Sequence, residues 1–264
     1  MTDPLRGPGK FTGTTPPGTR DEREAARFVR EMFSRIAPRY DLLNHLLSFS
    51  LDRVWRRQAA GRFRHVLRRT DARILDLCCG TGDFAFALER VRLEEIRDGG
   101  AYRFPIIGCD FSEPMLDLAA IKADGRGRVT AFAGADALRL PFADASFNLV
   151  MSAFGFRNLA NYDAGLREIA RVLKPSGEVG ILEFSEPSST WTSAVFRFYF
   201  RRILPWIGGA ISGSLKAYSY LPESVMKFPS PNDLTLAMER NGFADVRVVS
   251  RNFGSVTLHS ARRI

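Results

Sequence analysis

The chain has 264 residues, with 38 Lys+Arg against 29 Asp+Glu and a formal charge of +9, enough chain for a hydrophobic core without metal or disulfide support. Hydrophobic content of 45% with charged content of 25% excludes wholesale disorder. Three cysteines (Cys78, Cys79, Cys109) and three histidines (His45, His65, His259) exclude a disulfide framework and lack metal-site spacing, which fits a reducing cytoplasm.

Residues 1–20 are rich in Pro, Gly and Thr and read as a disordered tail without a targeting signal. Glu22 to Ala37 places Val29, Met32, Phe33 and Ile36 on one helical stripe, which Pro38 is expected to stop. Leu42 to Phe49 is a short apolar helix, and Arg53 to Arg69 a further helix carrying seven arginines. Residues 21–70 thus form a basic helical cap.

Strands follow at Arg73–Leu77, Ile106–Cys109, Val129–Ala133, Phe147–Ala153 and Val179–Phe184. Between them run helices from Phe84 to about Ile96, from Ser112 (an N-cap, with Pro114 in the first turn) through Ala123, and from Tyr162 to Leu173, the last ending in a Lys174–Gly177 turn. The segment from Arg90 to Phe104 reads as containing a surface loop. Alternating strands and helices imply βαβ units and a parallel sheet covered on both faces. Residues 188–228 depart from this rhythm. Their Trp191–Leu215 stretch is aromatic-rich and interleaved with Arg197, Arg201 and Arg202, a helical lid. Residues 229–264 close the chain with a helix opened by Ser230-Pro231 and an antiparallel hairpin. The expected fold is a Rossmann-like, doubly wound, mostly parallel α/β sheet in one domain, 21–264, with the sheet core at 71–187.

The chemistry concentrates in Ile74-Leu75-Asp76-Leu77-Cys78-Cys79-Gly80-Thr81-Gly82-Asp83, a strand running through a glycine turn into a helix. Glycine lets backbone approach a ligand, and doubly wound folds bind ligands at the carboxyl ends of their strands. The three-glycine dinucleotide fingerprint is absent. Asp76 and Asp83 would repel a pyrophosphate but suit a ligand with cationic groups, such as the ammonium and sulfonium of S-adenosylmethionine. Asp110 ends the second strand, where a carboxylate can accept from both ribose hydroxyls. Asp136-Ala137 follows the third strand, placed for an adenine amino group and a ring nitrogen.

The series from Asp76 through Leu182 resembles the class I S-adenosylmethionine-dependent methyltransferases. Further elements narrow the resemblance: Phe33-Ser34-Arg35-Ile36-Ala37-Pro38-Arg39-Tyr40-Asp41, Trp55-Arg56-Arg57, Phe154-Gly155-Phe156-Arg157-Asn158, Arg171-Val172-Leu173-Lys174-Pro175 and Tyr218-Ser219-Tyr220-Leu221-Pro222-Glu223-Ser224. With these, the chain from about Arg27 onward resembles the ubiquinone/menaquinone biosynthesis C-methyltransferase family. Phe156 stands where the family usually has leucine, and Ala153 where a serine is common.

The resemblance implies methylation of a ring carbon on a reduced polyprenyl quinone, with S-adenosylmethionine as cofactor and no metal. It implies cofactor contacts from Tyr40, Asp76, Gly80, Thr81, Gly82, Asp110, Asp136 and Ala137. On the acceptor side it implies Arg157, which stabilises a phenolate or orients a water but is no base, together with Asn158 on a quinol oxygen and Asp41 as a base. The expected partners are the lipophilic hydroquinone and, transiently, an anionic membrane surface, with a homodimer allowed and no nucleic acid. The location is cytoplasmic, with a peripheral place on the inner membrane face. A nucleic-acid methyltransferase and a non-enzymatic assembly factor are the rival classes. The first lacks a recognisable RNA-binding module; the intact Gly80, Gly82, Asp110, Asp136 and Arg157 oppose the second.

Overall fold

Residues 13–95, 101–187, 190–198, 202 and 215–264 are described by a computed structural model. Seven strands form one sheet: β1 (Ile74–Leu77), β2 (Ile106–Asp110), β3 (Ala131–Gly134), β4 (Phe147–Ala153), β5 (Leu173–Phe184), β6 (Phe243–Arg251) and β7 (Val256–Arg263). Their order is β3-β2-β1-β4-β5-β7-β6. The first five run parallel, and β7 inserts antiparallel between β5 and β6. This is the expected doubly wound sheet with its C-terminal hairpin. The strand order reverses between β1 and β4, so their carboxyl ends open the crevice where such folds bind ligands.

Nine helices are described: α1 (Glu22–Leu47), α2 (Leu51–Arg62), α3 (Arg64–Leu67), α4 (Asp83–Glu95), α5 (Glu113–Asp124), α6 (Tyr162–Val172), α7 (Thr190–Phe198), α8 (Leu215–Lys227) and α9 (Pro231–Arg240). One face of the sheet packs Trp55, Phe63, Leu88 and Leu182. The other packs Leu166, Ile169, Leu234 and Met238. Covering both faces explains why β1 is buried along its whole length and β4 up to its last residue, without alternation between buried and exposed positions.

Several boundaries differ from the sequence reading. Pro38 does not stop the first helix; α1 runs through it. A mid-helix proline forfeits the bond to the carbonyl four residues back. Here Ile36, Ala37 and Leu43, on either side of Pro38, are buried in one cluster with Met115, Phe196 and Val225, and that burial overrides the local signal. The helix expected over Arg53–Arg69 breaks at Phe63, whose φ/ψ is −106/22°. The third strand starts two residues late, because the Val129 amide is taken by the Glu89 carboxylate at 2.9 Å. Lys174–Gly177 lies inside β5 as an irregularity, with Ser176 at φ 59° and the register jumping from Phe147–Leu173 to Leu149–Glu178. Within Arg90–Phe104, Arg92 is fully buried, lies 4.0 Å from the Tyr102 ring and donates to the Phe104 carbonyl. Part of that segment is therefore anchored.

In the segment expected to be a tail, residues 13–16 lie against the core: the Thr14 amide donates to the Leu159 carbonyl at 2.8 Å, and Thr14 is buried. In the lid, Tyr199, Phe200, Arg201, Leu204, Trp206 and Ile207 lie outside the described residues. No described helix is long and apolar enough to cross a membrane.

Candidate active site

A cleft opens at the carboxyl ends of β1, β2 and β4, enclosing about 730 Å³ of space that is continuous with solvent. Two backbone positions shape it. Cys78 ends β1 at φ 57°, and Phe154 ends β4 at φ 61°. Left-handed backbone at non-glycine residues costs about 1–3 kcal/mol each and clusters at functional sites. Gly155 lies so close to Cys78 that a Cβ there would overlap the Cys78 Cβ. The β1 and β4 loops therefore touch, and together they form the floor.

Around this floor stand the acidic residues read from the sequence. Asp76 is fully buried and lies behind the lining, which its neighbours Leu77 and Cys78 reach, and neither carboxylate oxygen has a hydrogen-bond partner. Burial pushes its carboxyl well above the ordinary range. An orphaned buried carboxyl is costly, and it fits a ligand that brings a cationic donor. Asp110 accepts the Gly80 amide on one oxygen and the Ser112 amide on the other, both at 2.9 Å. Each oxygen keeps a lone pair for a vicinal diol. The Ser112 amide serves Asp110, and the Ser112 hydroxyl pairs with the Ser34 hydroxyl at 2.9 Å instead of capping α5. Asp136 and Ala137 line the cleft beside Phe111, Ala135 and Leu138; the Leu138 amide donates to Asp136 at 2.9 Å. Gly80 sits at φ 54° with the Tyr40 ring over it, 3.7 Å from where a Cβ would stand. Tyr40 in turn packs edge-on against Phe33, ring centroids 5.8 Å apart.

The structure separates the other expected residues from the lining. Gly82 needs its φ of 83° and has the Phe132 ring 3.0 Å from where a Cβ would lie, so it serves packing behind the loop. Thr81 is buried and donates to Asp41. Asp41 also takes Lys122 at 2.8 Å, and the same ammonium reaches Asp83 at 2.5 Å. With one oxygen taken by the Thr81 hydroxyl and the other by the Lys122 ammonium, Asp41 is the clasp that ties α1 to the glycine loop and α5. The clasp extends through Asp52, which pairs with Arg56 and with His45 Nδ1 at 3.0 Å. Asp83, expected to suit a cationic ligand, is committed to Lys122.

Arg157 is also committed. Its guanidinium donates to Glu183 at 3.0 Å and to the Phe154 carbonyl, and both partners of the pair are buried. Burial opposes its charge, but the Glu183 carboxylate overcomes that and holds the guanidinium above its ordinary value. Arg157 thus braces the β4 loop against β5 and does not appear on the lining, whereas its neighbour Asn158 does. Asn158 Oδ1 accepts the Tyr220 hydroxyl at 3.2 Å. Phe33, Met115, Phe154, Leu159 and Ala160 make the remaining wall apolar.

Sequence reasoning missed Phe111, Leu138, Ala26 and the Lys122 clasp. Phe111 follows Asp110 directly and could have been flagged by adjacency; Lys122 carries no local signal.

The residues present fit S-adenosylmethionine: an unpaired buried carboxyl at Asp76, a diol acceptor at Asp110, and a glycine without a Cβ at Gly80. The sequence model of the ubiE/COQ5 methyltransferase family matches residues 19–263. A demethylmenaquinone methyltransferase of Deinococcus radiodurans is 47% identical, covering 88% of this chain and 92% of the relative. One of Thermus thermophilus is also 47% identical, covering 88% and 100%. A solved S-adenosylmethionine-dependent methyltransferase of Thermotoga maritima, described as a possible histamine N-methyltransferase, superposes with a TM-score of 0.62 at 18% identity, covering 89% of this chain and all of that one. The last likeness speaks to the fold alone. The two relatives and the family match agree with the cleft, and the chain belongs to the ubiE/COQ5 methyltransferase family.

Proposed function

We propose that this methyltransferase transfers the methyl group of S-adenosylmethionine to a ring carbon of demethylmenaquinol, giving menaquinol. The related 2-methoxy-6-polyprenyl-1,4-benzoquinol is the second acceptor that the family breadth supports. One observation carries the reading: a single cleft joins an acidic, diol-accepting end (Asp110, Asp136) to an apolar wall (Phe33, Met115, Phe154, Leu159), with the buried Asp76 carboxyl behind the lining beside Leu77. The first suits the donor and the second a hydrophobic aromatic ring.

When bound, S-adenosylmethionine supplies an electrophilic methyl group. The chain's own residues do the rest. Asp76 meets the ammonium end, Asp110 the ribose hydroxyls, and Asp136 with the Ala137 amide the adenine edge. Tyr40 roofs Gly80 and excludes water from the donor side. The acceptor must be the reduced hydroquinone, since an oxidised quinone is electron-poor. Asn158 meets a quinol oxygen as negative charge grows on it, a stabilisation that is strongest in a water-poor site. Arg157 adds positive field from behind the wall and keeps the Phe154–Asn158 turn in place. With Asp41 clasped by Lys122, the phenolic proton passes to water; once the ring carbon has taken the methyl group, leaving the sulfur as a neutral thioether, that carbon's own hydrogen leaves as a proton and the quinol oxygen is reprotonated, so one proton is released for each methyl group transferred. Holding ring carbon and methyl group in line supplies much of the rate.

The substrate's polyprenyl tail calls for access from a lipid surface. Exposed Phe49, Leu51 and Val54 at the α1–α2 corner, Phe253 in the β6–β7 turn, and Trp191 and Phe198 on α7 offer apolar side chains. The Trp55 indole bonds Asn252 at 3.2 Å and Arg251 bonds Gln58 at 3.2 Å, which brings the β6–β7 turn beside α2. Arg53, Arg57 and Arg251 flank these residues and suit anionic headgroups. Vesicles of anionic lipid are expected to sediment the protein, and F49S/F253S to abolish this. A second copy of the chain is the competing occupant, visible as a dimer without vesicles.

The reaction is tested with methyl-labelled S-adenosylmethionine and demethylmenaquinone. Label should enter the lipid after chemical reduction of the quinone and not before. Equal labelling of the oxidised form, or labelling of added RNA in place of the lipid, would overturn the reading.

A further inference from the structure

The N-terminal residues 13–16 read as tail, yet they reach the acceptor side of the cleft. Gly13 lies flat on the next strand of chain: a Cβ there would overlap the Ala160 carbonyl. The Thr14 amide donates to the Leu159 carbonyl at 2.8 Å, and Lys227 Nζ donates to the Thr15 carbonyl at 3.3 Å. Thr14 Oγ1 meets the Tyr220 hydroxyl at 2.9 Å, which donates to Asn158 Oδ1 at 3.2 Å. Thr14 and Tyr220 are only 4% and 3% exposed, so water does not compete for these bonds.

An amide side chain has one accepting end and one donating end. Since Tyr220 donates to Oδ1, Thr14 donates to the Tyr220 oxygen, and Asn158 has its Nδ2 hydrogens to offer the cleft. Burial keeps Tyr220 protonated and able to donate, its pKa pushed up to about 12.

We propose that residues 13–16 form a strap whose Thr14, through Tyr220, orients the Asn158 side chain so that its amide N–H faces the acceptor oxygen. This rests on the quinol reading. Thr14 and Tyr220 are positioning residues, and Gly13 is the point at which the strap lies down. The strap also joins the β4 loop to α8, so the acceptor side is complete only when it is docked.

The test compares T14V, T14S, Y220F and the double variant T14V/Y220F in the full-length chain. T14V and Y220F should each lower kcat on demethylmenaquinol about tenfold, or about 1.4 kcal/mol, with S-adenosylmethionine affinity unchanged. T14S should retain the wild-type rate, since it keeps the hydroxyl. The double variant should be no slower than either single one, because both act through the same bond. Wild-type kcat in T14V, or equal losses in T14V and T14S, would overturn the proposal. If the wild type transfers nothing to the quinol, the quinol reading fails instead. Amide exchange then judges the strap: protection at Thr14 in the wild type that is lost in G13V supports docking, and a freely exchanging Thr14 amide overturns it.

Discussion

Gly155→Ala is the sharpest test of the cleft floor. The added Cβ overlaps the Cys78 Cβ and stands 3.2 Å from the Cys78 carbonyl oxygen. Neither atom is the flexible end of a side chain, and Cys78 is already left-handed, so the β1 and β4 loops must separate. Overpacking of this kind costs about 1–3 kcal/mol. For a chain of this size each kcal/mol lowers Tm by roughly 2–4 °C, so a fall of roughly 2–12 °C is expected. Separation also shifts Asn158, three residues on, relative to Gly80; a displacement of about 1 Å can cost ~100-fold in rate. Gly134→Ala is the control, because nothing lies within 4 Å of a Cβ there, and it should stay within about 0.5 kcal/mol. The assay pairs thermal unfolding with calorimetric titration of S-adenosylmethionine. Wild-type Tm and affinity in G155A would refute the claim that these two loops form the floor.

Other outcomes follow from the same geometry. Asp76→Asn keeps the shape but cannot ionise against the incoming ammonium, so cofactor affinity should fall about 10–100-fold, as for a lost charge-assisted bond. The pH dependence carries a definite sign. Burial raises the folded Asp76 above its unfolded value near ~3.9, so the folded form retains a proton that the unfolded chain has released. Ligand-free stability should therefore fall as pH rises through the window above that value, and D76N should flatten the slope in urea unfolding. Arg157→Ala strands Glu183 in the interior and should destabilise the protein by about 3–5 kcal/mol, measured by denaturant titration; a near-neutral change would contradict the bracing role. Lys122→Met unclasps Asp41 and Asp83. It should raise protease sensitivity in α1 while leaving β1–β5 protected from exchange.

Much of this molecule was legible in the sequence because its signals are local. The apolar runs at Ile74–Leu77 and Phe147–Ala153 can only be strands covered on both sides, and Asp76, Gly80 and Asp110 take their places from the order of strand and turn. The failures are non-local. Pro38 looked like a stop because the burial of Ala37 and Leu43 against Met115 is invisible to periodicity. Thr14 looked disordered because a strap held by a carbonyl 145 residues away has no pattern of its own. Gly82 looked like a ligand glycine, but the Phe132 ring explains it. Asp41 looked like a base until Lys122, which lies 81 residues on, was seen to hold it.

The central claim is that the donor and the quinol ring meet in one cleft with a ring carbon facing the methyl group. Its most direct test gives the enzyme trideuteromethyl-S-adenosylmethionine and demethylmenaquinol, and locates the label in the product by mass spectrometry and NMR. The account predicts three deuterons on a ring-bound methyl carbon, as menaquinol. A methyl ether on oxygen, or no transfer while the donor still binds, would contradict it.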